Sequence, residues 1–330
     1  MAGSVHGRTA LVTGAAGFIG SHLSAGLIDR GYRVLGLDTL ETGSMAAIRS
    51  LRDHDRFRFE RGDIRDTSLV SRLLESSDLL FHQAALTSVG MSYDEPSKTA
   101  DINCTGTSVL LSSLRESSLD SVVVASSAAV YASDPPQPVA ETAPIDPASP
   151  YALSKFWTER LAMQFEERTG ADVTALRYFN VYGPGQDPTG PYASVVPAFV
   201  SRVREGEAPT IYGDGEQTRD FVHVDDVARA NIAIAESDVS GEIYNVGSGE
   251  RTSIHRLAEL AIELAGADVE PQYSDPRPGD VRHSCADVTK IRREIGFEPT
   301  VELEAGLKEL LNGHPETGHR DLLVDRPTRG

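Results

Sequence analysis

A tyrosine and a lysine stand four residues apart in the segment SPYALSKFW, at Tyr151 and Lys155. On a helix this spacing places both side chains on one face, and Pro150 is typical of a helix start. An ammonium group beside a phenol lowers the tyrosine pKa, because it favours the phenolate. The pair predicts a general base, although two residues on a solvated helix can share this spacing by chance.

The position of this pair in the chain favours the chemical interpretation. The helix it opens follows a predicted strand, 121–127, which ends at Ser126 and Ser127. A serine at that strand end can donate a hydrogen bond to the same substrate oxygen that the tyrosine contacts.

A glycine-rich segment, TGAAGFIG, lies between the first predicted strand and the first predicted helix. Gly14 permits a tight turn, and Gly17 lets a pyrophosphate approach the backbone. Gly20 allows the helix to pack closely on the strand, and the helix N-terminus favours the anion. These features predict a dinucleotide-binding site.

Two acids follow the next strands. Asp38 ends the second strand, where a carboxylate binds the adenosine ribose hydroxyls and repels a 2′-phosphate. This predicts NAD rather than NADP. Asp63 ends the third strand, where it either contacts the adenine amino group or caps the next helix.

The elements that must position these groups alternate along the chain. Apolar runs predict strands at 9–14, 32–38, 56–63, 78–85, 121–127 and 172–180. Helical patterns separate them near 67–76, 97–117 and 151–169. Continuous Val and Leu runs indicate strands buried on both faces. The fold class is therefore α/β, a Rossmann-type doubly wound parallel sheet.

After residue 180 the pattern changes. Residues 1–180 are expected to form the dinucleotide-binding domain, which carries the serine, tyrosine and lysine. Residues 181–312 are expected to form mainly a smaller lobe, whose strands remain free to join the main sheet. A polar tail, 313–330, is expected to be poorly ordered.

Composition argues against several classes of function. A net charge of −18 argues against a general binder of nucleic acid or anionic membranes. It fits either a high-salt habitat or a solvated acidic surface. Cys104 and Cys285 are too few for a disulfide framework or a zinc site, so we expect no metal. No apolar run is long enough to span a bilayer, and no signal peptide is recognised. A cytoplasmic protein is expected.

Several motifs together resemble the extended short-chain dehydrogenases, in particular the nucleotide-sugar epimerase/dehydratase group. They are TGAAGFIGSHL, LDTL, GDIRD, FHQAA, NCTGT, SSAAVYA, YALSK, RYFNVYGPGQ, RDFVHVDD and PGDVRHSCAD. Their order along residues 8–311 is specific for the group and less specific for the substrate.

This resemblance implies roles for individual positions. Ser127 would be the catalytic hydroxyl, Tyr151 the base and Lys155 its partner. Further residues would hold or support NAD: Gly14, Gly17, Phe18, Ile19, Asp38, Asp63, Ile64, Ala84, Ala85, Thr87, Asn103 and Tyr178.

The resemblance also implies a nucleotide-sugar site in the second lobe. Val195 would lie under a uracil and Tyr212 would stack on it, while Arg219 and Arg277 would pair with the diphosphate. Asp280 would hold the ribose or orient Arg277, and His223 would be structural. Three further residues would contact the sugar or diphosphate: Ser88, Asn180 and Ser284. Without the resemblance, Arg219 is more simply an ion-pair partner of Asp220 or Asp225.

The implied reaction is NAD-dependent 4-epimerisation of UDP-glucose or UDP-galactose through a 4-keto sugar, with NAD regenerated. The small Ser284 leaves room for an N-acetyl group, which would admit UDP-GlcNAc and UDP-GalNAc. Ala128 and Ala129 stand where 4,6-dehydratases carry an Asp-Glu pair, which argues against dehydration. A UDP-glucuronate epimerase or decarboxylase, and a relative acting on dTDP-sugars, remain open. An NADP-linked reductase or a non-catalytic NAD-binding protein is less favoured.

The group also suggests a partner. Its members pair the helices near 97–117 and 151–169 across a two-fold axis, which implies a homodimer. The same apolar residues could instead cover the sheet of a monomer.

Overall fold

A seven-stranded parallel sheet forms the centre of the protein in the computed structural model, which describes residues 7–114, 119–188, 193–277 and 279–313. The strands of this sheet are β1 (Thr9–Thr13), β2 (Arg33–Asp38), β3 (Phe57–Arg61), β4 (Leu79–His82), β5 (Ser121–Ser127), β6 (Val173–Tyr178) and β11 (Glu242–Val246). They pair in the order β11-β6-β5-β4-β1-β2-β3. The predicted doubly wound α/β fold is confirmed.

Helices cover both faces of this sheet and build the smaller lobe. They are α1 (Phe18–Asp29), α2 (Thr67–Leu74), α3 (Val89–Asp94), α4 (Pro96–Ala100), α5 (Gly106–Ser113), α6 (Pro150–Thr169), α7 (Val195–Arg204), α8 (Val224–Ala235), α9 (Ile254–Ala265), α10 (Thr289–Ile295) and α11 (Leu303–Asn312). The helix predicted near 97–117 is interrupted by a π-helical stretch at Asp101–Thr105, and residues 115–118 lie outside the described part.

Both faces of the sheet are buried, as the apolar runs predict. Along β1, Ala10 and Val12 join one core cluster while Leu11 joins the cluster on the opposite face. Successive side chains of a strand point to opposite faces, so an uninterrupted apolar strand requires helices on both sides. Helices α1 and α8 pack together on one face, and α2 and α5 on the other.

The smaller lobe contains short strands around its own apolar core. They are β7 (Asn180–Tyr182), β8 (Thr210–Tyr212), β9 (Thr218–Arg219), β10 (Phe221–His223), β12 (Thr252–Ser253) and β13 (Gln272–Ser274). They form the pairs β10-β7, β12-β9 and β13-β8. Tyr182 lies at the centre of this core, packed with apolar residues of α7, α9 and α11.

The chain crosses between the two cores more than once. After β10 it returns through α8 to β11, which pairs with β6 in the main sheet. The predicted tail, apart from Gly313, lies outside the described residues. Among the described helices, none is both long and apolar enough to cross a membrane.

Candidate active site

One large cavity opens at the carboxyl ends of the main strands, beneath the smaller lobe. Its volume is about 1410 Å³. It reaches the gap between β1 and β4, where the strand order reverses, which is the place where open α/β sheets bind ligands. Both the glycine-rich segment and the Tyr151–Lys155 pair line this cavity.

The glycine positions are required by close contacts. Gly14 has φ +71°, and a Cβ there would lie 2.8 Å from the Ala84 amide nitrogen. A Cβ on Gly20 would lie 2.0 Å from the Gly14 carbonyl oxygen. Helix α1 begins directly after Gly17, which lines the cavity with extended backbone. A side chain at Gly14 or Gly20 would therefore clash with the backbone of Ala84 or Gly14 and distort the turn between β1 and α1.

Asp38 joins the glycine turn to the segment after β2. Its carboxylate accepts hydrogen bonds from the Ala16 N–H at 3.0 Å and from the Leu40 N–H at 2.8 Å. Leu40 has φ +63°, an unusual conformation for a residue with a side chain. The bonds hold Asp38 in the cavity wall, where a ribose would meet a fixed anion.

Asp63 does not cap the next helix, because Asp66 occupies that position and accepts a hydrogen bond from Leu69 N–H. Of the two interpretations offered by the sequence, capping is therefore wrong. Asp63 lines the cavity and accepts two bonds from the Arg65 guanidinium, at 2.6 and 3.0 Å. These bonds hold the pKa of the Asp63 carboxyl below its usual value.

The other residues assigned to the cofactor divide into two groups. Those that line the cavity are Phe18, Ile19, Ile64, Ala84, Ala85, Thr87 and Tyr178. Asn103 is buried and is not part of the cavity wall. Its amide accepts from the Leu86 N–H at 2.7 Å and donates to the Leu86 carbonyl at 3.0 Å. Asn103 therefore fixes the backbone of Leu86, in the loop after β4, without lining the cavity itself.

Tyr151, Ser127 and Lys155 come together at the end of β5. Ser149 caps α6 and Pro150 is its first residue, so Tyr151 lies in the first turn. The Ser127 hydroxyl lies close enough to the Tyr151 phenol to lower its pKa. The Lys155 ammonium donates to the Ala125 carbonyl oxygen at 3.0 Å. Both Tyr151 and Lys155 are largely buried.

The expected low tyrosine pKa is not found. Burial raises the pKa of the Tyr151 phenol, and the nearby Ser127 hydroxyl offsets this only in part. Burial also lowers the pKa of Lys155 to about 8. Desolvation disfavours the charged form of both groups. The prediction from sequence included the attraction between the phenolate and the ammonium, but not the free energy required to remove them from water.

The two serines at the end of β5 have different partners. Ser126 donates to the buried Glu159 carboxylate at 3.0 Å, and Glu159 also pairs with Arg177 at 2.6 Å. Ser127 lies in the cavity wall with Tyr151. Ser126 therefore joins β5 to α6 and β6, while Ser127 remains in the cavity wall.

The residues assigned to the substrate all line the same cavity. They are Ser88, Asn180, Val195, Tyr212, Arg219, Arg277, Asp280 and Ser284. His223 is buried at the start of α8, where its ring accepts from the Asp225 N–H, in agreement with a structural role.

Two pairings in this part of the cavity differ from expectation. Asp280 forms an ion pair with Arg219, and not with Arg277. The Arg277 guanidinium lies 4.0 Å from the centre of the Tyr212 ring, on the aromatic group expected to stack on a base. The alternative pairing of Arg219 with Asp220 is wrong, because Asp220 is buried and accepts bonds from Ser248.

A buried histidine beneath the catalytic group was not predicted. His82 bonds to Thr13 at 2.8 Å and to Thr107 at 2.9 Å, which ties β1 and β4 to α5. Burial, together with the nearby charge of Lys155, lowers the pKa of His82 to about 3. His82 is therefore neutral. The only signal in the sequence is a polar residue at the end of an otherwise apolar strand.

Comparison with known proteins agrees with this geometry. Residues 10–247 match the model of the NAD dependent epimerase/dehydratase family. The chain belongs to that family. It is 39% identical over 299 residues to a UDP-glucose 4-epimerase of Mycolicibacterium smegmatis, covering 90% of this chain and 95% of that one.

Two solved structures are also similar. The UDP-glucose 4-epimerase of Thermotoga maritima, determined with UDP-glucose, is 39% identical with a TM-score of 0.87, covering 92% of this chain and 97% of that one. The UDP-N-acetylglucosamine 4-epimerase of Methanobrevibacter ruminantium, in complex with UDP-N-acetylmuramic acid, is 38% identical with a TM-score of 0.89. That match covers 93% of this chain and 97% of the other.

As a member of this family the protein is an enzyme whose cofactor is NAD. The cavity fits that dinucleotide, because the glycine cradle would receive a pyrophosphate and the Asp38 carboxylate would oppose a 2′-phosphate. Bound NAD supplies a reversible hydride acceptor. The chain's own contribution is to place Tyr151, Ser127 and Lys155 at the other end of the cavity from Asp38.

We expect the depressed pKa of Lys155 to make the stability of the cofactor-free protein depend on pH. Between about 8, its pKa in the fold, and 10.5, its ordinary value, the unfolded chain binds more protons than the folded protein. Stability should therefore rise with pH across this window, by at most about 3 kcal/mol. The measurement is the free energy of unfolding in urea, compared with Lys155→Met.

The Lys155→Met protein should lack this rise, so the difference between the two proteins grows with pH. Lys308→Met is the matched control, since Lys308 is exposed and pairs with Glu304 on α11. A difference between wild type and Lys155→Met that stays constant from pH 8 to 10.5 would contradict the burial of a titrating amine.

Proposed function

We propose that the protein catalyses the reversible 4-epimerisation of a UDP-sugar, with NAD as a permanently bound redox partner. One observation carries the proposal. A single cavity holds Tyr151 and Ser127 at the carboxyl end of β5 and two guanidinium groups, Arg219 and Arg277, under the smaller lobe. In a chain of net charge −18, these cations are a local site for a diphosphate.

Each catalytic side chain has a separate task in this reaction. Tyr151 takes the proton of the sugar's 4-hydroxyl while carbon 4 gives up its hydride. Tyr151 returns that proton after the 4-keto sugar has turned over. Ser127 hydrogen-bonds the same oxygen. Lys155 stays mostly protonated near neutral pH and stabilises the phenolate. Arg219 and Arg277 retain the nucleotide while the sugar rotates.

The shape of the cavity beside Ser127 argues against a dehydratase. Ala128 and Ala129 line the wall there, and neither methyl group can transfer a proton. Elimination of water requires an acid and a base at this end of the cavity. Asp38 similarly disfavours an NADP-linked reductase.

The proposal predicts the behaviour of Tyr151→Phe. Removal of the phenolic oxygen should lower kcat by about 100- to 10,000-fold, while binding of NAD and UDP changes little. Turnover is followed by NMR with UDP-glucose, UDP-N-acetylglucosamine and UDP-glucuronate. Tyr273→Phe, an exposed tyrosine on β13, is the control and should keep full activity.

Wild-type protein that interconverts none of these sugars at carbon 4, or a Tyr151→Phe protein with unchanged kcat, would refute the proposal. A product lacking the 6-hydroxyl would establish a dehydratase instead. Loss of carbon dioxide from UDP-glucuronate would establish a decarboxylase.

We also propose that the enzyme accepts N-acetylated sugars. Ser284 lines the cavity and its N–H donates to the Thr218 carbonyl at 3.1 Å, which fixes its backbone. Its small side chain leaves space that a larger residue would fill.

The change Ser284→Tyr should therefore lower kcat/KM for UDP-N-acetylglucosamine by about 10-fold or more, because it removes space for one acetyl group. Turnover of UDP-glucose should be retained, and this second substrate is the internal control. Equal losses for the two sugars, measured side by side, would show that Ser284 does not select between them.

A homodimer is the assembly we propose. Helix α6 exposes Leu153 and Trp157, one turn apart, with 59% and 49% of their surfaces accessible. Exposed large apolar side chains on one helix face are characteristic of a protein interface, and α6 is one of the helices that the resemblance assigns to the dimer.

The change Trp157→Glu should convert a dimer into a monomer, because it buries a charge in an apolar contact. Light scattering coupled to size-exclusion chromatography measures the mass. Tyr273→Glu, at an exposed aromatic residue of the smaller lobe, should leave the dimer intact. A wild-type protein that is monomeric at every concentration would exclude this interface.

A further inference from the structure

An ion pair joins the two sides of the cofactor crevice, which is the part of the cavity over Gly14 and Gly17. Lys98 on α4 bonds with Glu41, in the segment after β2, with 2.5 Å between Nζ and Oε1. Helix α4 belongs to the segment after β4. Strands β2 and β4 flank β1 on opposite sides and run parallel to it. The pair therefore connects the walls on either side of the glycine turn that follows β1.

The position of Glu41 is set by the glycine turn itself. Asp38 Oδ2 accepts from the Ala16 N–H at 3.0 Å, and the Ser44 N–H donates to the Ala16 carbonyl at 2.9 Å. A Cβ on Gly43 would lie 2.7 Å from that same carbonyl oxygen. Glu41 lies between these anchors and lines the cavity. The backbone that carries its carboxylate is therefore held beside the cradle that would receive a pyrophosphate.

A second ionic contact has the same span. Arg65, in the segment after β3, bonds with Asp101 at the start of the π-helical stretch, as well as with Asp63. Arg65 and Ile102 both line the cavity. Both ionic contacts thus connect the β2–β3 side of the sheet with the segment that follows β4. Two such contacts indicate that closure on this side of the cavity is a property of the fold.

The Lys98–Glu41 pair can open without leaving either charge unsolvated. The accessible fraction of the side chain is 40% for Lys98 and 43% for Glu41, so water reaches both groups. Lys98 also has a second partner on its own segment, Glu95, at 3.5 Å. An exposed ion pair contributes little to the stability of a fold. Because this pair spans the crevice, it can instead affect how fast a bound molecule leaves.

We infer that Lys98 and Glu41 form a clasp across the cofactor crevice, which slows the release of NAD. The inference rests on NAD as the cofactor of this family. It goes beyond the proposed reaction, in which NAD stays bound from one turnover to the next. A dinucleotide on the glycine turn would lie between the two walls that the pair connects. It would leave through the opening that the pair spans, so the strength of the pair enters the rate of release.

The test measures how fast radiolabelled NAD leaves the loaded protein after dilution into excess unlabelled NAD. Lys98→Glu and Glu41→Lys should each speed release by about 2- to 5-fold, the effect of one exposed ion pair. In each of these variants two like charges face each other and keep the clasp open. The double variant, in which the charges are exchanged, should return the rate to that of wild type. Lys308→Glu, which disrupts the exposed pair with Glu304 on α11, should leave the rate unchanged.

The exchange of charges separates a clasp from simple attraction of the cofactor. If Lys98 only attracts the anionic NAD, Lys98→Glu should speed release, whereas Glu41→Lys should slow it. That pattern would overturn the inference. Single variants that release NAD at the wild-type rate, or a double variant that is not restored, would also overturn it. The assay follows NAD alone, so these results are independent of which sugar the enzyme converts.

Discussion

A carboxylate and a guanidinium are buried together beneath the catalytic helix, and the arrangement of the active site depends on them. Glu159 on α6 pairs with Arg177 on β6 and receives the hydroxyl of Ser126 on β5. Both charges are almost fully removed from water, so neither can be left without its bonds. These bonds consequently fix the axial position and the rotation of α6 relative to β5 and β6.

The same constraint explains the spacing of Tyr151 and Lys155. Tyr151, Lys155 and Glu159 follow each other at intervals of four residues and form one polar stripe on α6. Tyr151 lies near Ser127. Lys155 bonds with the Ala125 carbonyl, and Glu159 bonds with Ser126 and Arg177. Lys155 therefore belongs to the attachment of the helix, which accounts for its deep burial and for the pKa of about 8.

The sequence predicted the main sheet and the glycine turn after β1 well, because long apolar runs and glycine spacings report directly on backbone geometry. It predicted poorly which side chains form hydrogen bonds or ion pairs with each other. Nothing local indicated that Glu159 is buried, since a charged residue on a helix is usually solvated. Asp280 was assigned to the ribose or to Arg277, whereas the fold pairs it with Arg219. Strands of two or three residues, such as β9 and β12, are too short to show the alternation of apolar and polar residues that predicts a strand. The raised pKa of Tyr151 depends on burial, which only the folded chain reveals.

Strand β11 has a consequence for how such enzymes can be recombined. It lies at the edge of the main sheet beside β6, yet the chain reaches it only after building much of the smaller lobe. A single cut after β6 would leave the sheet one strand short and expose the edge of β6 to foreign pairing. Grafting a different sugar lobe onto this scaffold therefore needs at least two junctions, one on each side of the segment that carries α8 and β11.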